Sequence, residues 1–210
     1  MVIDVLRFST TVCALLAAGR RRILVASGPE ALARARDLAR ADVFSELEFE
    51  CPARRFDNSP ALALAAGDGK HPAYVTTATG SRALEACRGA GRILVGCFAN
   101  FHAVLRRLEA ARGRVWLLPA ASPGFYPGRE EDELCAGAFR EALAGDGEAP
   151  RRALAALRMT PRLGEFLRMR PKTGDEDLAL AMALDRFGVV PEAVFPGVPK
   201  ALFARIRRVR

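Results

Sequence analysis

Short apolar runs recur along the chain at intervals that leave room for an amphipathic helix between neighbours, and this alternation constrains the fold more than any other feature. The runs are VIDVL (2–6), RILVAS (22–27), AYVTT (73–77), RILVGC (92–97), RVWLLPAA (114–121) and AVFPGV (193–198). A strand with one wet face alternates apolar and polar residues, whereas most of these runs are unbroken, which implies cover on both faces, as in a mostly parallel sheet. The periodicity between them predicts helices over 9–19, 29–40, 59–67, 80–89, 100–112, 130–145, 161–169 and 174–187. Several open on a polar cap followed by proline, as in Ser27-Gly28-Pro29 and Asn58-Ser59-Pro60. The expected fold is α/β: a layered α/β/α sandwich around a mostly parallel sheet, in a single domain over residues 1–210. Residues 42–57 fit neither period and leave room for an antiparallel excursion. GDGEAPRR (145–152) reads as an exposed loop, and helices dominate from there to the last run.

Half of the residues are hydrophobic, enough for one sizeable core. No apolar run approaches the roughly 20 residues that cross a bilayer, and no signal-peptide pattern opens the chain. The expectation is a cytoplasmic protein without a membrane partner. Cys13, Cys51, Cys87, Cys97 and Cys135 show no CxxC spacing and sit mostly in apolar segments, which predicts reduced thiols. The formal net charge of +8 comes from arginine, in Arg20-Arg21-Arg22, Arg106-Arg107, Arg151-Arg152 and the tail RIRRVR. Such a balance favours anionic partners, either phosphorylated metabolites or nucleic acid. With one Trp and two Tyr in the chain, and no aromatic residue beside these arginine clusters apart from Phe203 near the tail, the interleaving of a nucleic-acid surface is missing and the metabolite is favoured.

In α/β sheets ligands collect beyond the carboxyl ends of strands, where the next helix presents free N–H groups and the positive end of its dipole. Polar residues stand at those points. Asp4 and Arg7 follow the first run; Thr76, Thr77, Thr79, Gly80 and Ser81 follow the third. Asn100 lies just after the fourth, and Ser122 to Asp132 follow the fifth. Arg7 with neighbouring hydroxyls and amides suits an oxyanion. Each piece also has a purely structural reading. Asp4 and Arg7 make an ion pair, Thr79-Gly80-Ser81 makes a helix cap, and Glu130, Glu131, Asp132 and Glu133 are acids of the kind that settle in a helix's first turn. His71 and His102 are isolated, which argues against a histidine metal site or triad. Common phosphoryl-transfer signatures are missing. No cysteine has arginine six positions later (after Cys135 the sixth is Glu141), Asp4-Val5-Leu6 lacks a second aspartate, and neither a Walker loop nor a GxGxxG loop occurs.

Read in order, IDVLRFSTT (3–11), DNSP (57–60), TTATGSRAL (76–84), VGCFANFHAV (95–104), EDELCAG (131–137) and DLALAMALDRFGVVP (177–191) resemble the successive motifs of the 2-phosphosulfolactate phosphatases, the ComB-like proteins. The resemblance runs over nearly the whole chain. It implies a Mg²⁺-dependent phosphoric monoester hydrolase acting on a small anionic hydroxy acid. It also implies Asp4, Glu131 and Asp132 as metal ligands and Asp4 and Arg7 as catalytic groups, with Arg7 clamping the phosphoryl group. Asn58, Ser59, Thr77, Gly80, Ser81, Arg82 and Asn100 would line the rest of the pocket, and a homodimer is implied as well. The chain departs from the pattern at four places: Thr79 stands for Asn, Asp57 for Gly, Ser45-Glu46-Leu47 for Gly-Glu-Arg, and Thr160-Pro161-Arg162 for a His-Gly pair. Met1 stands three residues before Asp4, where the pattern starts about a strand earlier. These departures leave a second expectation open, a member that binds an anionic phospho-metabolite without turning it over.

Overall fold

The apolar runs do become strands, each shorter than the run that marks it. The computed structural model describes residues 1–67, 69–120, 129–197 and 203–209. Along these the chain forms β1 (Val2–Ile3), α1 (Phe8–Ala17), β2 (Ile23–Ala26), α2 (Pro29–Leu32), β3 (Asp42–Phe44), β4 (Arg54–Phe56), α3 (Pro60–Ala65), β5 (Ala73–Val75) and α4 (Gly80–Ala86). It continues through β6 (Ile93–Gly96), α5 (Phe101–Glu109), β7 (Leu118–Pro119), α6 (Glu130–Leu143), α7 (Ala149–Arg158), α8 (Arg162–Met169), α9 (Gly174–Ala181), β8 (Val190–Val194) and β9 (Phe203–Val209).

The strands form one sheet in the order β4-β3-β5-β2-β9-β8-β6-β1-β7. Pairing is parallel within β4-β3-β5-β2 and within β6-β1-β7. It is antiparallel across β2-β9, β9-β8 and β8-β6. The sheet is therefore mostly parallel, as expected, but its centre is an antiparallel pair made by the end of the chain. The three reversals also make the two parallel groups run in opposite directions. Every residue of β1, β3, β5 and β6 is buried, which requires helices on both faces and explains the unbroken runs. Helix α1 is buried from Phe8 to Leu16, so Ser9, Thr10 and Thr11 lie inside the protein. Two of these hydroxyls tie down the loop before the helix: Asp4 N–H donates to Ser9 Oγ at 3.0 Å, and Thr10 Oγ1 donates to the Val5 carbonyl at 2.7 Å.

Several boundaries differ from the expectation for identifiable reasons. Residues 42–57 contain two parallel strands, β3 and β4, rather than an antiparallel excursion. Asp42 sits inside β3 because Arg20 and Arg54 both pair with it, and Phe56 stacks on Phe44 at 4.9 Å. The predicted loop over 145–152 gives way at Ala149 to α7, where Pro150 occupies the first turn. The last apolar run forms its strand at Val190–Val194, and the basic tail is a strand of its own, with Ala204 and Ile206 inward and Arg205 and Arg207 outward. The run over 114–121 keeps only Leu118–Pro119; Ala121 and Val198 lie outside the described residues. Cys13, Cys97 and Cys135 are buried free thiols, and Cys51 and Cys87 are half-buried ones. Among the described residues no helix is long and apolar enough to cross a membrane.

Candidate active site

Two segments far apart in sequence meet at the end of β1. The N-terminus of α6 brings Asp132, fully buried, against the loop after the strand, where Val5 N–H donates to Asp132 Oδ1 at 2.7 Å. Asp4 lies in the same loop, 2% exposed. Phe8 N–H donates to its Oδ1 at 3.1 Å and Thr79 Oγ1 to its Oδ2 at 2.9 Å. Asp132 Oδ2 is buried without a hydrogen-bond partner. Burial, then the charges of Asp4 and Glu131, push the Asp132 carboxyl well above the usual carboxylate range. An unpartnered buried carboxylate oxygen beside a second carboxylate is the hard donor pair that Mg²⁺ takes, with waters completing its shell. Glu131 does not belong to that pair. Both of its oxygens accept from Arg162, at 2.8 Å each, so it serves as that guanidinium's counter-ion. Among the described residues no group of three or more His, Cys, Asp or Glu is placed to hold a metal. The protein's share of a Mg²⁺ shell would thus be Asp4 and Asp132.

Arg7 pairs with neither of them. Its guanidinium grips Asp57 with two bonds of 2.8 Å and reaches Asp177 with a third of the same length. Burial works against the charged form, but the bonds to Asp57 and Asp177 outweigh it and raise the Arg7 pKa. Asp177, fully buried on α9, also accepts from Ser59 Oγ, Thr173 Oγ1 and Ala61 N–H. Arg7 thus joins the β1 loop, the entry to α3 and the start of α9, and the plain Asp4–Arg7 ion pair is absent.

These groups border a cleft of about 350 Å³ lined by Asp4, Arg7, Glu46, Asn58, Thr79, Arg129, Arg162, Glu165 and Arg170, with Leu6, Phe166 and Met169 among its apolar walls. Arg7, Arg129, Arg162 and Arg170 set guanidinium groups on its wall among the acids Asp4, Glu46 and Glu165, and guanidinium is the group that meets a phosphate or carboxylate. Two polar atoms there lack partners, Asn58 Oδ1 and Glu46 Oε2. Ala78 N–H holds the other oxygen of Glu46 at 2.7 Å. Burial, with a smaller contribution from Asp4, raises the Glu46 carboxyl above its ordinary value against the effect of that N–H.

The remaining sequence-derived candidates divide. Asn58 lines the cleft, while Ser59 caps α3 by accepting from Leu62 N–H at 3.1 Å. Thr77 and Ser81 close the turn before α4 on each other, through bonds of 2.9 and 3.0 Å. Gly80 packs against Phe8, and Arg82 is exposed on the wall of the neighbouring chamber. Asn100 uses its side chain to accept from Cys97 N–H and to donate to the carbonyls of Val95 and Val189. Ser122 lies outside the described residues. Residues not singled out from the sequence include Glu46, Asp57, Arg162, Arg170 and Asp177. Asp57 and Asp177 stand inside motifs that the resemblance had already marked, and Glu46 and Arg162 stand at two of its departures.

A family model described as 2-phosphosulpholactate phosphatase matches residues 1–194. Three similar proteins each carry the name "Probable 2-phosphosulfolactate phosphatase". The one from Symbiobacterium thermophilum is 34% identical over 149 residues, covering 69% of this chain and 63% of its own length. That from Gloeobacter violaceus is 27% identical, covering 94% and 89%. That from Synechococcus sp. (strain JA-3-3Ab) is 29% identical, covering 94% and 89%.

Proposed function

From its membership of the 2-phosphosulfolactate phosphatase family, which the chain holds across residues 1–194, we propose that it is a Mg²⁺-dependent phosphoric monoester hydrolase acting on a small anionic hydroxy acid of the 2-phosphosulfolactate type. The observation that carries this reading is the buried carboxylate of Asp132, one oxygen unpartnered and the other on Val5 N–H, set against the loop that carries Asp4 and that borders an arginine-bearing cleft. Mg²⁺ held by these two carboxylates would neutralise phosphoryl charge and make a bound water more acidic. The protein's own groups supply the rest. Arg129, Arg162 and Arg170 attract and orient the ester's anionic ends. Arg7 acts at one remove, because its bonds to Asp57 and Asp177 fix the loop that carries Asp4. Thr79 and Phe8 N–H hold the Asp4 carboxylate in one orientation. Glu46, pinned at Oε1 and with its carboxyl raised above the ordinary value by burial, is suited to give a proton from Oε2 to the departing alkoxide.

Purified protein with Mg²⁺ is expected to release phosphate from 2-phosphosulfolactate or phospholactate, and Asp4→Asn to reduce that release to background. No release from a panel of phosphorylated hydroxy acids would overturn the reading. A second reading, binding without turnover, draws on one observation: Glu131 and Arg7, both expected to act directly, are held by Arg162 and by Asp57 with Asp177. It predicts calorimetric binding of a phospho-acid with no phosphate released. The resemblance also carries a homodimer, which sedimentation tests.

A further inference from the structure

A second chamber of about 550 Å³ lies on the other side of Thr79 from the active-site cleft. Ala78, Thr79 and Arg129 belong to the walls of both spaces, so the two adjoin there. The two linings differ in character. The first is rich in charge; the second is walled chiefly by Leu47, Ala83, Ala86, Leu118 and Pro119. Leu118 is 37% exposed, an apolar side chain turned to open space beside a site that otherwise gathers charge. Arg82, also on this wall, has no ion-pair partner among the described residues and offers a cation to the face of a ring. A phosphorylated three-carbon acid is polar at every end and gains nothing from apolar walls. An alkyl or aryl substituent on its carbon skeleton gains by leaving water there.

We propose that this chamber is a second substrate subsite, holding an apolar substituent, so that the favoured substrates are phosphate esters of hydroxy acids larger than three carbons. The inference rests on the phosphatase reading of the adjoining cleft and specifies its substrate class. The phosphate and carboxylate stay among the arginines, and the substituent passes Thr79 to lie between α4 and β7.

The test compares phospholactate with the O-phosphate of phenyllactate, measuring phosphate release with Mg²⁺ by the wild-type protein and by Ala86→Trp, whose indole fills the chamber. The wild type is expected to favour the phenyl ester in kcat/KM by roughly tenfold or more. Ala86→Trp should bring that ratio close to one, mainly through a higher KM for the phenyl ester. Leu118→Asp, which makes the wall polar without filling it, should lower the same ratio, so the outcome does not depend on one variant folding. Equal kcat/KM values in the wild type, or a ratio that neither variant changes, would overturn the subsite. If neither ester is hydrolysed, the phosphatase reading falls, and calorimetric titration with the two esters then decides the chamber alone: tighter binding of the phenyl ester supports it and equal binding removes it.

Discussion

Asp132 bears a heavy electrostatic burden within the site. With one oxygen on Val5 N–H and the other on nothing, its ionised form is costly to bury, and the neighbouring Asp4 adds to that cost. The sign of the pH effect follows. With the folded-state pKa raised above the unfolded value, the penalty is absent at low pH, where the group is protonated in both states. It grows as pH rises above the ordinary aspartate value of about 3.9 and is complete above the raised folded value. Asp132→Asn is therefore expected to stabilise the protein in chelator at neutral pH, by about 1–3 kcal/mol, with a gain that shrinks toward acid. The same change should abolish any rise in Tm on adding Mg²⁺. Thermal melts across pH, with and without the cation, measure both.

At the scale of elements, Arg7 connects three pieces of chain that the sequence keeps 50 and 170 residues apart. Its two roles separate cleanly in a variant. Arg7→Met leaves Asp57 and the fully buried Asp177 without their counter-charge, which should cost about 3–5 kcal/mol in urea unfolding. Loss of a guanidinium that acted only as a phosphate clamp would instead raise KM and leave the unfolding midpoint in place. The elements themselves were unevenly legible. Unbroken apolar runs marked β2, β5 and β6 because burial on both faces removes any alternation. Strand β3 was hidden because its first residue, Asp42, is an acid whose two arginine partners lie 22 and 12 residues away in sequence. The tail over 203–209 does show a period of two, but its arginines masked the signal; Arg207 pairs with Glu192 on the neighbouring strand β8. The acids of the candidate site were legible as types and motifs. Their division of labour was not, since whether Glu131 or Asp132 is left unpartnered depends on where Arg162 lands, 31 residues from Glu131.

For the whole molecule, the site depends on closing a gap that the sheet does not close. Asp4 follows β1 and Thr79 follows β5, and four strands separate these two in the sheet. The groups to which they belong run in opposite directions, so a common rim of strand ends, the basis for expecting the residues to meet, is not what unites them. The bond of 2.9 Å between Thr79 and Asp4 forms because the N-terminus of α4 packs directly on α1. Gly80 is the point of contact. A Cβ added there would clash with Cγ and Cβ of Phe8, atoms at the base of a fully buried side chain that cannot move without its backbone. Gly80→Ala must then push α4 away from α1 and lengthen the Thr79–Asp4 contact. Overpacking of this kind costs about 1–3 kcal/mol. The variant is expected to melt at a lower temperature and also to lose most of its phosphate release, since Asp4 would lose the bond that orients it. Gly91→Ala provides the comparison, because nothing lies within 4 Å of the Cβ it adds, and it should change neither quantity. If Gly80→Ala were less stable yet fully active, the docking of α4 on α1 would be a matter of packing alone, and the orientation of Asp4 would have to come from Phe8 N–H without Thr79.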